Sequence, residues 1–270
     1  MVQVAEVMAA VEEFAPVALA EPWDNVGLMF GGRGWPVAHV LLALDATPAV
    51  VAQAEGLGDA MVVTHHPLFF EPLRALVEDE FAFRVVQALA QGGIALYAAH
   101  TNLDKSPTHG TPRALAEALG FGAGADGVRG ETILGGLGSV VNAAQPGNRQ
   151  DLATLVAQQL GSRVVQLVGE GRGSARRIAL VPGSGGDALA SARAAGAQVM
   201  VTGELKHHEA LEAELLGPAV ITAGHFETEQ PVLALLQRAL QERLPGLDIR
   251  IAEESSPIWS VHSGGLGGSP

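Results

Sequence analysis

The chain has 270 residues, enough for one large or two smaller domains. Hydrophobic residues make up 48% of it, the formal net charge is −13, and cysteine is absent. That composition is globular, and it excludes disulfides, thiolate nucleophiles and cysteine-ligated zinc or iron–sulfur centres. No apolar run reaches about 18 uncharged residues, so no transmembrane span is expected. The stretch from Met1 to Ala20 carries Glu6, Glu12 and Glu13 and no Lys or Arg, unlike a secretory signal. These features fit a cytoplasmic protein. The acidic field repels nucleic acid and acidic membrane surfaces, so neither is an expected partner. An anionic substrate would need an intervening cation.

In chain order, Val4, Val7, Met8, Val11 and Phe14 recur at helical spacing and predict an opening helix over 4–20. Glu21-Pro22-Trp23-Asp24-Asn25-Val26-Gly27-Leu28 reads as a loop around an aromatic anchor. Val40 to Leu44 is a buried strand ending at Asp45, Pro48 to Gly56 a short helix, and Ala60 to Thr64 a second strand. That strand stops on His65-His66-Pro67, because proline lacks an N–H and cannot continue a central ladder. The histidine pair therefore lies at the carboxyl end of a strand, where open α/β sheets place their ligands. Taken alone, the pair reads equally well as a solvated loop.

A helix follows from about Asp79 to Gln91, closed by Gly92-Gly93, then a strand from Ile94 to Ala99. This strand ends on His100-Thr101-Asn102-Leu103-Asp104, again ligand-type residues at a carboxyl end. Thr111 caps the next helix, with Pro112 at its first position. The Gly-rich segment 121–130 joins two halves, giving expected units of 1–127 and 128–270.

In the second half, strands are predicted over 138–142, 164–168, 177–181, 198–202 and 219–222, with a helix over 149–160. Pro182-Gly183-Ser184-Gly185-Gly186 precedes a helix from Asp187. It could hold phosphate on free N–H groups, but matches no nucleotide fingerprint and reads more simply as a tight connection. The tail 264–270 is Gly/Ser-rich and reads as frayed. The stretch 58–65 weakly echoes 196–203, which suggests two related α/β units facing each other with the site between them.

A helix beginning at His225 would put His225 and Glu229 at i and i+4 on one face, about 5–6 Å apart at Cβ. His65, His66, Asp104, His225 and Glu229 together supply three imidazoles and two carboxylates. Two metals about 3.5–4 Å apart, bridged by a carboxylate, use that number naturally. Nitrogen and oxygen donors without thiolate suit Zn, Mn, Fe, Co or Ni and do not choose among them. Glu204 and His100 read as hydrogen-bonding neighbours of the ligands, Glu204 behind a ligand histidine and His100 beside Asp104; a general base is another possibility for both, and a surface residue a third for Glu204. His207 and His208, in a charged helix start, stay outside the metal set.

THHP (64–67), HTNLD (100–104), TGELKHH (202–208) and GHFETE (224–229), with WDNVGL (23–28), resemble the Nif-three-like dinuclear metal-centre family. Its members often carry the description of type 2 homologues of GTP cyclohydrolase I. The motifs run in the family's order across 23–229, and the chain is similar to its shorter members, without their extra middle domain. Phe226 departs from the second histidine that many relatives carry there. The resemblance implies that His66 and Asp104 hold one metal, His65 and His225 the other, and that Glu229 bridges them. It also implies a ring-shaped homohexamer with the sites facing an inner cavity.

Hydrolysis is the default chemistry of such a centre, and no G-x-S-x-G elbow competes with it. The family resemblance implies attack at C8 of a guanine nucleotide and opening of the imidazole ring. Two alternatives stand beside it. One is a dinuclear phosphoesterase or amidohydrolase acting on a small anionic metabolite. The other is a metal-binding scaffold or regulator with little catalysis.

Overall fold

The computed structural model describes residues 1–78, 80–121 and 131–258. β1 (Val2–Gln3) leads into α1 (Val4–Phe14), whose buried stripe is Val4, Val7, Met8, Val11 and Phe14. The helix stops at Phe14, short of the predicted end at residue 20, and Val17–Leu19 forms a 3-10 turn. Pro16 explains the stop, because it disfavours helical geometry at the residue before it. β2 (Gly27–Phe30) takes up the end of the stretch read as a loop. It is an edge strand, and its pairing with a distant partner carries no local periodicity.

β3 (Pro36–Val37) pairs with β1. Then come β4 (His39–Ala43), α2 (Pro48–Glu55) and β5 (Ala60–Thr64), with the Thr47 hydroxyl capping α2 by accepting from Val50 N. α3 (Phe81–Gly92) ends on Gly93 at φ 63°; its expected start at Asp79 lies outside the described residues. β6 (Ala95–Ala98) and α4 (Thr101–Asp104) follow. In α5 (Thr111–Ala118), Gly110 rather than Thr111 is the capping residue. The connection 122–130 is outside the described residues.

β7 (Glu131–Ile133), β8 (Gly138–Asn148), α6 (Arg149–Leu160), β9 (Gln166–Val168) and β10 (Ser174–Ser184) come next. Asp187 sits in a 3-10 turn, and α7 (Leu189–Ala194) begins after it. The remaining elements are β11 (Val199–Glu204), α8 (His207–Leu216), β12 (Ala219–Thr222), α9 (His225–Glu229), α10 (Pro231–Arg243) and β13 (Asp248–Ile251). The tail segment 264–270 lies outside the described residues.

Two larger sheets organise this mixed α/β fold. In the first, β13, β4, β5 and β6 run parallel, with β2 antiparallel at the edge. In the second, the order is β7-β8-β10-β11-β12-β9, and β10, β11 and β12 are its parallel centre. β13 belongs to the first sheet, so a division at 127/128 does not separate the sheets: the chain builds the second and then returns to the first.

Each sheet is covered on both faces, which is why its central strands are continuous apolar runs. Val40, Leu42, Met61 and Val63 pack under α1 and α10, while Leu41, Ala43 and Val62 meet α2 and α3. In the second sheet Ile178, Leu180, Val201 and Ile221 face α5 and α6, and Ala179, Val181, Met200 and Val220 face α7 and α8. Alternate residues point to opposite faces, so residues just past a strand's last position emerge at the sheet's carboxyl edge.

Candidate metal centre

The parallel strands of both sheets deliver polar side chains to one place. From the first sheet come Asp45 after β4, His65 and His66 after β5, and His100 with α4 after β6. From the second come Gly183 near the end of β10, Glu204 closing β11, and His225 and Glu229 on α9 after β12.

Glu229 is the hub. Its Oε1 lies 3.2 Å from His225 Nε2 and 3.9 Å from His65 Nε2, and its Oε2 lies 3.1 Å from His66 Nε2. His65 Nε2 is also 3.6 Å from Asp104 Oδ1, and Thr111 Oγ1 donates to that same oxygen across 2.6 Å. The five candidate ligands thus meet at one cluster. The two oxygens of Glu229 divide the histidines: His65 and His225 approach Oε1 and His66 approaches Oε2, while Asp104 Oδ1 lies near His65 Nε2.

Each histidine uses its other ring nitrogen as an anchor. His65 Nδ1 donates to the Ala99 carbonyl at 3.1 Å, His66 Nδ1 to Asp45 Oδ1 at 3.0 Å, and His225 Nδ1 to Glu204 Oε1 at 3.2 Å. Anchoring Nδ1–H sets the tautomer in which Nε2 carries the lone pair, the arrangement typical of metal-bound histidine. Glu204 thus hydrogen-bonds the candidate ligand His225 from the end of β11. Asp45 does the same for His66, a role the sequence reading missed. The available signal was its place at the carboxyl end of a buried strand.

The donor set fits a metal. His65 Nε2 is buried without a hydrogen-bond partner, and buried Glu229 Oε2 has His66 Nε2 3.1 Å away. A neutral imidazole lone pair facing two carboxylates is unfavourable, and a cation held among them would relieve it. Two donors ligating one ion at about 2.0–2.2 Å stand roughly 3.0–3.5 Å apart, close to the spacings from His66 and His225 to Glu229. With protons in place of metal, burial opposes charge on His66, but Asp45 and Glu229 hold its pKa up at about 10. Glu229 lifts His225 to about 9. Burial opposes ionisation of Glu229, yet His225 and His66 hold its carboxyl well below the usual range. Burial pushes His65 down, keeping it neutral.

His100 stands beside the cluster, its ring centroid 5.1 Å from that of His65 and 5.5 Å from that of His66. Its side-chain partner is Asp24, not the expected Asp104: Nδ1 donates to Asp24 Oδ1 at 2.9 Å. Asp24 also accepts from the Thr101 backbone N–H and hydroxyl, which ties the WDNVGL stretch to the start of α4. The Pro182–Gly186 turn packs against the centre. Gly183 N donates to Thr228 Oγ1 and Gly185 N to the Glu204 carbonyl, so these N–H groups are used within the protein. His207 and His208 are exposed at the start of α8.

Two sheets aiming their parallel strand ends at one buried imidazole–carboxylate cluster define an α/β protein with a candidate metal centre. The model of the Duf34/NIF3 (NGG1p interacting factor 3) family matches residues 2–257, and the chain belongs to that family. A Clostridium perfringens relative named GTP cyclohydrolase 1 type 2 homolog is 34% identical, over 88% of this chain and 91% of its own length. One of the same name from Streptomyces coelicolor is 32% identical, over 97% and 95%. The Staphylococcus aureus hypothetical protein SA1388 superposes with a TM-score of 0.87 at 26% identity, covering 96% of this chain and 99% of that one. Among the described residues no helix is long and apolar enough to cross a membrane.

Proposed function

We propose that this protein binds two divalent metal ions between two related α/β units and acts as a metal-dependent hydrolase. His66 and Asp104 would hold one ion, His65 and His225 the other, with Glu229 shared between them. The observation that carries the reading is the convergence of three Nε2 atoms on Glu229, each Nδ1 being anchored elsewhere. Bound there, two divalent ions supply Lewis acidity and water that ionises near neutral pH. Zn, Mn, Fe, Co and Ni all suit these donors.

The chain's own part is positional. Asp45, Ala99 and Glu204 hold the rings in register, and Glu229 keeps its charge despite burial. The relatives' name supports a cyclohydrolase-type reaction, water addition to a ring carbon of a nitrogen heterocycle of the guanine kind. The family resemblance also supports a homohexamer with a small-molecule substrate, and the cysteine-free composition fits the cytoplasm.

Elemental analysis of purified wild type and Glu229→Ala tests the centre. The expected content is about two ions per chain in wild type, with marked loss in the variant. A wild type that binds none under metal-replete conditions sinks the reading. Metal-dependent turnover lost in a folded Glu229→Ala supports the hydrolase, whereas partner capture untouched by that change supports a scaffold.

A further inference from the structure

A cleft of about 600 Å³ opens beside the centre, with His66 in its wall. The size suits a small molecule. Phe70, Phe81 and Phe226 supply its aromatic lining, Asp45, Glu253 and Glu254 its carboxylates, and His66 stands as a basic group in its wall. No Lys or Arg lines it among the described residues. Phe70 and Phe81 are 50% and 58% exposed, leaving their ring surfaces free for contact.

We propose that this cleft is the substrate pocket and that it takes a flat, neutral or cationic ring bearing hydrogen-bond donors, not a polyphosphate. This deepens the hydrolase reading and rests on it for the cleft's role as substrate pocket. Phenyl faces favour planar rings and cations. Carboxylates accept from donor groups and from cations, and repel phosphate oxygens. Asp45 joins the two regions, since it both lines the cleft and anchors His66. The net charge of −13 adds a long-range field that disfavours polyanions. Arg163 lines an adjoining pocket, where Glu227 and Glu254 accompany it, so a phosphate there also meets carboxylates.

The test compares two flat probes of opposite charge, benzamidine and benzenesulfonate, by ligand-observed NMR on the protein as purified. Sulfonate is chosen because it ligates metals poorly. Benzamidine should bind at least about tenfold more tightly than benzenesulfonate. Phe81→Ala and Glu254→Gln should each weaken benzamidine by about threefold or more. Phe81 is half exposed and glutamine keeps an acceptor for the Leu44 N–H, so both variants should fold. Equal or reversed preference, displacement of benzamidine by GTP at comparable concentration, or indifference to both substitutions overturns the proposal. Metal content of the same samples separates the two readings. Absent metal with the preference intact removes the metal centre alone, and bound metal with the preference reversed removes the cleft chemistry alone.

Discussion

His66 and Asp45 form a carboxylate–imidazole pair 3.0 Å apart, across the carboxyl ends of two adjacent parallel strands. β4 ends two residues before Asp45 and β5 two residues before His66, so strand register itself brings the pair together. Asp45→Asn keeps an acceptor but loses the charge that holds the ring. Metal affinity should fall by about 10–100-fold with the fold retained, as for other outer partners of metal-binding histidines. Competition with a chromogenic chelator measures this, and unchanged affinity would show that Asp45 does not act through His66.

In the proposed centre, protons and metal would compete for the same nitrogens. His66 and His225 sit near 10 and 9 in the metal-free protein, above the ordinary 6.5. Groups raised on folding stabilise fully below their unfolded pKa, and that contribution is lost as pH rises through the folded one. The chelated protein should therefore lose melting temperature between about pH 6.5 and 10 from these two residues. Metal affinity should rise over the same window, because binding must expel those protons. Melting curves with and without chelator, taken across that range, should diverge as pH increases.

Gly183 leaves room for the hub. A Cβ there would collide with Glu229 Oε1 and come within 3.3 Å of His225 Nε2, and the backbone φ is +69°. Gly183→Ala should cost about 1–2 kcal/mol from the left-handed backbone alone. It should also displace the Glu229 carboxylate and lower metal content. A variant with wild-type metal content would mean that Glu229 does not bridge from its observed position.

Asp24 is a structural tie rather than a ligand. Burial opposes its ionisation, but bonds from His100 and Thr101 bring its pKa down to about 2. Depressed on folding, it stabilises above its ordinary 3.8 and loses that contribution as pH falls toward 2. Asp24→Ala should lose about 1–3 kcal/mol of stability near neutral pH, because it leaves the Thr101 N–H without its acceptor. Metal content should stay at the wild-type level. Loss of metal in Asp24→Ala or His100→Asn would move His100 into the ligand set.

Local pattern made much of this molecule legible. Apolar β-rich runs bounded by polar residues place β5 and β12 at their observed limits. The i, i+4 spacing puts His225 and Glu229 on one short helix, their nearest side-chain atoms 3.2 Å apart. Pro67 and Gly224 mark where strands give way to candidate ligands. These signals depend on neighbours in sequence, so a single chain carries them.

The tertiary structure decided what depends on residues far apart. β2 gains its partner from β6, and β13 returns to the first sheet beside β4, about 200 residues earlier in the chain. His65 faces Asp104, while His66 groups with His225, because two sheets meet at their carboxyl edges. Asp24 and Asp45 look like ordinary loop acids until His100 and His66 lie against them. Residue types and local periods thus determined which side chains stand at strand ends. Only folding, by setting strand order and bringing the two edges together, determined which of them share an atom's reach.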